Sequence, residues 1–117
     1  MGIAEEKSFA FAVKIVKVAK TTQAQHKEYD LTRQLLRSGA SVGANICEAQ
    51  QAQSKRDFIS KLSIASKEAE ETRYWIRLLM ATEYLEKDEG NGLLKDADEL
   101  IRLLTSSVKT AQKNLNT

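Results

Sequence analysis

Gly39 and Gly43 stand four residues apart within the run 31–48, Leu-Thr-Arg-Gln-Leu-Leu-Arg-Ser-Gly-Ala-Ser-Val-Gly-Ala-Asn-Ile-Cys-Glu, and Ala40 and Ala44 repeat the spacing. On a helix, residues four apart stack on one face. A face of glycine and alanine lets another backbone approach closely. Two glycines inside a helix cost about 1 kcal/mol each relative to alanine, and close packing is the simplest compensation. The run therefore points to a tight helix bundle. It begins as an amphipathic segment, becomes almost entirely small residues, and closes on Asn45 and Glu48.

The rest of the chain agrees with an all-α reading. There is no proline and there are only five glycines, whereas sheet proteins need turn residues at short intervals. At 117 residues the length fits one domain, 1–117, with a core large enough to need no disulfide or metal staple. A single cysteine excludes an internal disulfide and fits a reducing cytoplasm. No apolar run approaches the ~20 residues of a membrane span. Glu5 and Glu6 make the N-terminus acidic, unlike a basic, apolar signal. Met1-Gly2 lacks the Ser or Thr at position 6 that myristoylation wants. The expectation is a cytoplasmic protein with no membrane association.

Hydrophobic periodicity predicts four helices. The first covers about 7–24, with Phe9, Val13, Val16 and Ala19 as one stripe and Phe11, Ile15 and Val18 widening it toward a second partner. Residues 25–29 form a polar connection, and Asp30 is a good N-cap for a second helix over 31–52. Ser54 followed by Asp57 has the capping-box pattern and opens a third helix over 55–86. There Phe58, Leu62, Ala65, Ala69, Thr72, Ile76 and Leu79 alternate spacings of four and three, the seam pattern of a bundle. Residues 86–92 read as the clearest loop. A fourth helix over 93–115 carries Leu93, Ala97, Leu100, Leu104, Val108, Ala111 and Leu115, with 105–117 prone to fray. The fold class is all-α: an up-down-up-down antiparallel four-helix bundle.

Catalytic chemistry finds little support. A di-metal carboxylate bundle needs Glu-x-x-His pairs, and the only histidine, His26, is preceded at three residues by Gln23. No arginine precedes His26, which removes a helical ribonuclease of the Arg-x(4–6)-His type. Cys47 sits among small residues with no histidine beside it and reads as a packed, inert thiol. The sequence thus argues for no enzyme, no cofactor and no metal. Asn45 and Glu48, with Ser41 nearby, read as a polar network that fixes helix register, because buried polar groups must find partners. A polar lining at a subunit interface is the other reading. Tyr74 and Trp75 adjoin and cannot face the same way.

The net charge of +2 does not by itself announce a nucleic-acid binder, but its distribution is lopsided. From Lys7 to Arg37 seven Lys/Arg oppose Glu28 and Asp30, and from Glu83 to Glu99 seven acids oppose Lys87 and Lys95. Lys14 and Lys17 share a face, as do Arg33 with Arg37 and Lys109 with Lys113. Lys55 and Arg56 open the third helix, where positive charge opposes the helix dipole, so their placement hints at a purpose. Aromatic content of 6% argues against single-strand recognition by base stacking.

Three stretches carry a family resemblance: L-x-x-Q-L-x-R-S from Leu31, S-V-G-A-N-I-x-E from Ser41, and S-K-x-x-F-I-x-x-L-S-I-A-x-x-x-A-x-E from Ser54. They resemble the bacterial four helix bundle protein family. That family includes proteins encoded in intervening sequences of large-subunit ribosomal RNA genes and accessory proteins of diversity-generating retroelements. The likeness runs over about 8–104. Ala49 follows Glu48 where the family has Gly, and Cys47 stands where it has Ala. The resemblance implies a homo-oligomer, a five-fold ring, with RNA or DNA and a reverse transcriptase or other protein as partners. A ring would multiply each subunit's basic patch around one axis. The functional expectation is a non-enzymatic accessory protein that contacts phosphates of structured RNA or DNA through Lys14, Lys17, Arg33, Arg37, Lys55 and Arg56. The alternative is a protein–protein interaction scaffold whose cations only solubilise it, which the acidic 83–99 segment favours.

Overall fold

Without proline, each helix runs until a local cap stops it. The computed structural model describes residues 2–115, which form α1 (Gly2–His26), α2 (Asp30–Gln50), α3 (Lys55–Ala81) and α4 (Lys87–Leu115). The connections 27–29, 51–54 and 82–86 are too short to cross the bundle, so successive helices pack antiparallel. α1 lies against α2 and α4, and α3 against the same two, giving an up-down-up-down four-helix bundle of 52 × 21 × 20 Å.

One contiguous core runs its length, built on Phe11, Ile15, Leu35, Ile46, Leu62, Ile76, Leu79, Leu100 and Leu104, all fully buried. On α3 the seam from Leu62 to Leu79 is buried at every expected position, and only Phe58 at its start is half-buried. The α2 face turns Leu35, Ser38, Val42 and Ala49 inward with Thr32, Gly39 and Ile46. Cys47 is exposed rather than packed, because Val42, Ile46 and Ala49 already occupy the inward positions of that turn.

α1 departs from the expected pattern. It starts at Gly2, and of its two apolar stripes it is Phe11, Ile15 and Val18 that enter the core, with Ala4, Ser8, Ala19 and Thr22. Phe9 is 73% exposed, and Val13 and Val16 also face outward. Ser8 and Ile15 on this side lie close against Gly43 and Gly39 of α2, an approach that a face carrying Phe9 would prevent.

The caps also differ. Asp30 is the first residue of α2 rather than its cap, and Tyr29 at the N-cap makes no side-chain bond. The longer Glu28 side chain reaches in instead, accepting from the N–H of Leu31 and of Thr32, each at 3.0 Å. Ser54 does cap α3, accepting from the N–H of Asp57 at 3.0 Å.

α3 stops at Ala81, five residues short of the sequence estimate. Tyr84 N–H donates to the Leu79 carbonyl at 2.9 Å and Glu83 N–H to the Met80 carbonyl at 3.1 Å. These are the paired bonds of a Schellman motif, with Glu83 at φ 67° in the left-handed position usually held by glycine. The connection is therefore 82–86, and Gly90 and Gly92 belong to α4. Asp88 and Glu89 favour a helix start there by opposing the positive end of the dipole. Gly90 is buried where any Cβ would collide with the Met80 side chain.

Candidate nucleic-acid interface

The small-residue run of α2 packs on α1. A Cβ at Gly39 would fall 2.8 Å from Ile15 Cγ2, and one at Gly43 would fall 3.3 Å from Ser8 Oγ. Asn45, Ser41 and Glu48 do not form one network. Asn45 Nδ2 donates to the Ser41 carbonyl at 2.9 Å and lies 3.0 Å from Ser41 Oγ, within its own helix. Glu48 points the other way and pairs with Lys61 of α3 at 3.2 Å. The buried polar link between helices is one that sequence reasoning missed. The hydroxyls of Ser38 and Thr72 meet at 2.9 Å across α2 and α3, and Thr72 Oγ1 also donates to the Glu68 carbonyl at 2.7 Å. Its signal lay in a serine and a threonine at seam positions of facing helices. Trp75 is half-buried and donates from Nε1 to Glu71 at 3.0 Å, while Tyr74 beside it is exposed.

Folding sets the basic α1 against the acidic start of α4. Lys14 pairs with Asp96 at 2.8 Å and Lys7 with Glu99 at 2.8 Å. The mutual hydrogen bond and attraction of Lys7 and Glu99 raise the lysine pKa and lower that of the carboxyl. Arg73 Nε reaches Asp98 at 2.7 Å across α3 and α4. Arg37 pairs with Glu68 at 3.3 Å and, still closer, with Glu71. Arg33 stays largely exposed, with Asp30 3.8 Å away on its own helix.

The six expected phosphate contacts consequently fall in three places. Lys14 and Lys17 border a cleft between α1 and α4 that also contains Asp88, Glu89 and Asp96. Arg33 and Arg37 lie one turn apart on α2, the second turned toward α3 carboxylates. Lys55 and Arg56 are exposed at the start of α3, where Lys55 Nζ lies 3.5 Å from the Asn114 carbonyl near the end of α4.

That end of the bundle has a different character. From Leu100 onward the sequence contains no Asp or Glu, while Arg102, Lys109 and Lys113 all fall there. A groove of about 370 Å³ between α3 and α4 is lined by Ser63, Ser66, Lys67 and Glu70 on one wall and Thr105, Val108, Lys109 and Gln112 on the other. A second groove along α4 shares Thr105 and Lys109 and adds Arg102, Ser106 and Thr110. Lys67, Lys109 and Lys113 enter none of the ion pairs among the described residues. The sequence pairs Lys109 with Lys113 on one face but gives no sign that Lys67 stands across from Lys109.

At the opposite end, His26 meets Tyr84 edge-on at 5.3 Å beside a polar cleft. Among the described residues, no cluster of three or more His, Cys, Asp or Glu side chains is arranged to hold a metal ion. No described helix is long and apolar enough to cross a membrane.

Comparison with known proteins bears on the fold and the family. No curated protein matches the chain. A solved structure from Bacteroides thetaiotaomicron, described as a protein of unknown function from the S23 ribosomal protein family, is similar at 48% identity with a TM-score of 0.89. The match covers 91% of this chain and 98% of that one. Residues 3–106 match the family described as 23S rRNA-intervening sequence protein. By that match over most of its length, the chain belongs to the 23S rRNA-intervening sequence protein family.

Proposed function

We propose that this protein is a non-enzymatic, cytoplasmic accessory protein that self-associates and binds structured RNA or DNA through phosphate contacts on a basic surface. The observation that carries this reading is the uneven neutralisation of charge. Asp96, Asp98 and Glu99 in the first half of α4 are matched to Lys14, Arg73 and Lys7, whereas Lys55 and Arg56 at the start of α3, Lys67 at its middle and Lys109 and Lys113 toward the end of α4 enter no ion pair among the described residues. Contacts from such flexible cations hold the phosphate backbone without reading sequence. Self-association is supported by Phe9, Val13 and Val16, spaced four and three apart along the outer face of α1. An exposed apolar stripe of this kind marks an association surface. Its occupant in this reading is another copy of the chain, in a five-fold ring as the family likeness implies. A ring repeats the basic end around one axis and raises the local potential above what +2 per chain suggests.

One observation favours a second reading. Lys14 and Arg37 are already paired with Asp96, Glu68 and Glu71. A scaffold that docks a protein partner, a reverse transcriptase among them, on the α1 stripe would use its cations this way.

Titration of the whole protein with an RNA stem-loop and a DNA duplex at low salt separates the two. Phosphate binding requires log affinity to fall with log salt at about −0.7 to −0.9 per contact. Absence of binding by a folded oligomer leaves the scaffold.

A further inference from the structure

We infer that the groove between α3 and α4, with Lys67 and Lys109 on its two walls, seats the phosphodiester backbone of a nucleic-acid duplex. This inference rests on the nucleic-acid reading above and assigns its site. Three features of the groove set it apart from the other surfaces.

The first is charge. Lys67 and Lys109 are exposed, stand on opposite walls, and belong to none of the ion pairs that engage Lys7, Lys14, Arg37, Lys61 and Arg73. A cation already paired must lose its partner before it can meet a phosphate, whereas these two need not; the unpaired Lys17 of α1 shares that freedom but sits among Asp88, Glu89 and Asp96, while Lys67 and Lys109 line the two walls of one groove. The one acid on the walls, Glu70, sits toward the middle of the bundle, 3.9 Å from Arg73 of its own helix.

The second is the lining between the charges. Ser63, Ser66, Thr105 and Gln112 supply hydroxyl and amide groups that donate as well as accept. Such groups take a large share of contacts to phosphate and sugar oxygens. They are also the kind of group that contacts a 2′-hydroxyl, the feature that tells RNA from DNA. The cleft beside Lys14 and Lys17 offers Asp88, Glu89 and Asp96 instead, which repel phosphate.

The third is length. Arg102, in the adjoining groove, lies seven positions before Lys109 on the same helix. At 1.5 Å per residue that separation is about 10 Å, the axial run of about three phosphates of one strand. The grooves therefore form one track along α4 rather than a pocket for a single anion. No aromatic side chain lines either groove, which suits a duplex whose bases stay stacked.

The test uses the full chain and two 20-base-pair duplexes of one sequence, RNA and DNA, followed by fluorescence anisotropy over a salt series. The double variant Lys67→Glu/Lys109→Glu is expected to weaken binding of both duplexes at least about tenfold and to flatten the salt slope by about 1.5. The double variant Lys14→Glu/Lys17→Glu changes affinity less than about threefold. Ser66→Ala with Thr105→Val weakens binding of both duplexes alike if the hydroxyls contact phosphate, and of RNA more than DNA if they contact the 2′-OH; unchanged affinity for both overturns the role of this lining. Circular dichroism confirms that each variant is folded. Binding that survives the Lys67/Lys109 reversal but is lost in the Lys14/Lys17 reversal overturns the groove and keeps the nucleic-acid reading. A wild-type protein that binds neither duplex overturns both.

Discussion

Lys14 and Asp96, 82 residues apart in the chain, meet at 2.8 Å across the α1–α4 seam. Two helical turns back along α1, Lys7 meets Glu99 in the same manner. The basic and acidic halves of the sequence thus face each other and cancel locally. Exposed pairs of this kind contribute little stability; their larger effect is on where free positive charge remains.

The Lys7–Glu99 pair makes a pH-dependent prediction. The folded-state pKa of Glu99 lies below its ordinary 4.5, so its contribution is present above that pH and is lost as the pH falls through the depressed value. Lys7 is raised above 10.5, so its share is complete below that pH and is lost as the pH rises through the raised value. The small difference in melting temperature between wild type and Lys7→Met is therefore expected near neutral pH and vanishes in acid. A difference that persists after Glu99 is protonated contradicts the pair.

Three glycines in helices separate packing from propensity. Gly39→Ala brings a methyl within 2.8 Å of Ile15 Cγ2, a stiff β-branched side chain, and is expected to destabilise by about 1 to 3 kcal/mol. Gly43→Ala meets Ser8, its Oγ at 3.3 Å and its Cβ and carbonyl carbon at 3.6 and 3.7 Å, and should be close to neutral, whereas Gly43→Leu is overpacked. Gly92→Ala meets nothing within 4 Å and is expected to stabilise by about 1 kcal/mol from helix propensity alone. Urea denaturation of the four variants checks the order.

Glu83 holds a left-handed conformation at φ 67° at the end of α3. Glu83→Gly removes the Cβ conflict and is expected to stabilise the protein by up to about 1 kcal/mol. A lower melting temperature for this variant would show that the Glu83 side chain has a role of its own.

The Ser38–Thr72 contact is buried, with both residues fully shielded from solvent. Ser38→Ala and Thr72→Val are each expected to cost about 0.5 to 1.5 kcal/mol by removing the inter-helix hydrogen bond, since the remaining hydroxyl keeps a carbonyl partner in its own helix. The double variant should recover part of that loss, a coupling that a double-mutant cycle measures directly.

Phe9 on the outer face of α1 tests assembly. Phe9→Glu replaces the largest exposed apolar group of the stripe without touching the core. Light scattering should give several times 13.1 kDa for the wild type, five times for a five-fold ring, and a single chain for the variant with an unchanged melting temperature. A wild type that is already a monomer rules out the stripe as a self-association surface.

Much of this bundle is legible in the chain itself. The alternating spacing of Leu62, Ala65, Ala69, Thr72, Ile76 and Leu79 permits one inward face and no other, and all six are buried. Ser54 and Asp57 specify the start of α3 because a cap involves only neighbours in sequence. The absence of proline and the glycine–alanine run in α2 were enough to imply closely packed helices.

Tertiary structure decided the rest, wherever two local solutions were nearly equal or the partner lay far along the chain. On α1 both Phe9–Val13–Val16 and Phe11–Ile15–Val18 satisfy helical periodicity, and the close fit of Ser8 and Ile15 against Gly43 and Gly39 of α2 goes with the inner stripe. Residues 86–92 resemble a loop until Gly90 slides beneath Met80 and the Schellman turn at Glu83 ends α3 early. Charge partners are still less local. Nothing near Lys14 announces Asp96, and nothing near Lys67 announces Lys109, because ion pairs and grooves are set by helix order and register. Periodicity determines what a residue is able to bury; only packing determines which cations remain free.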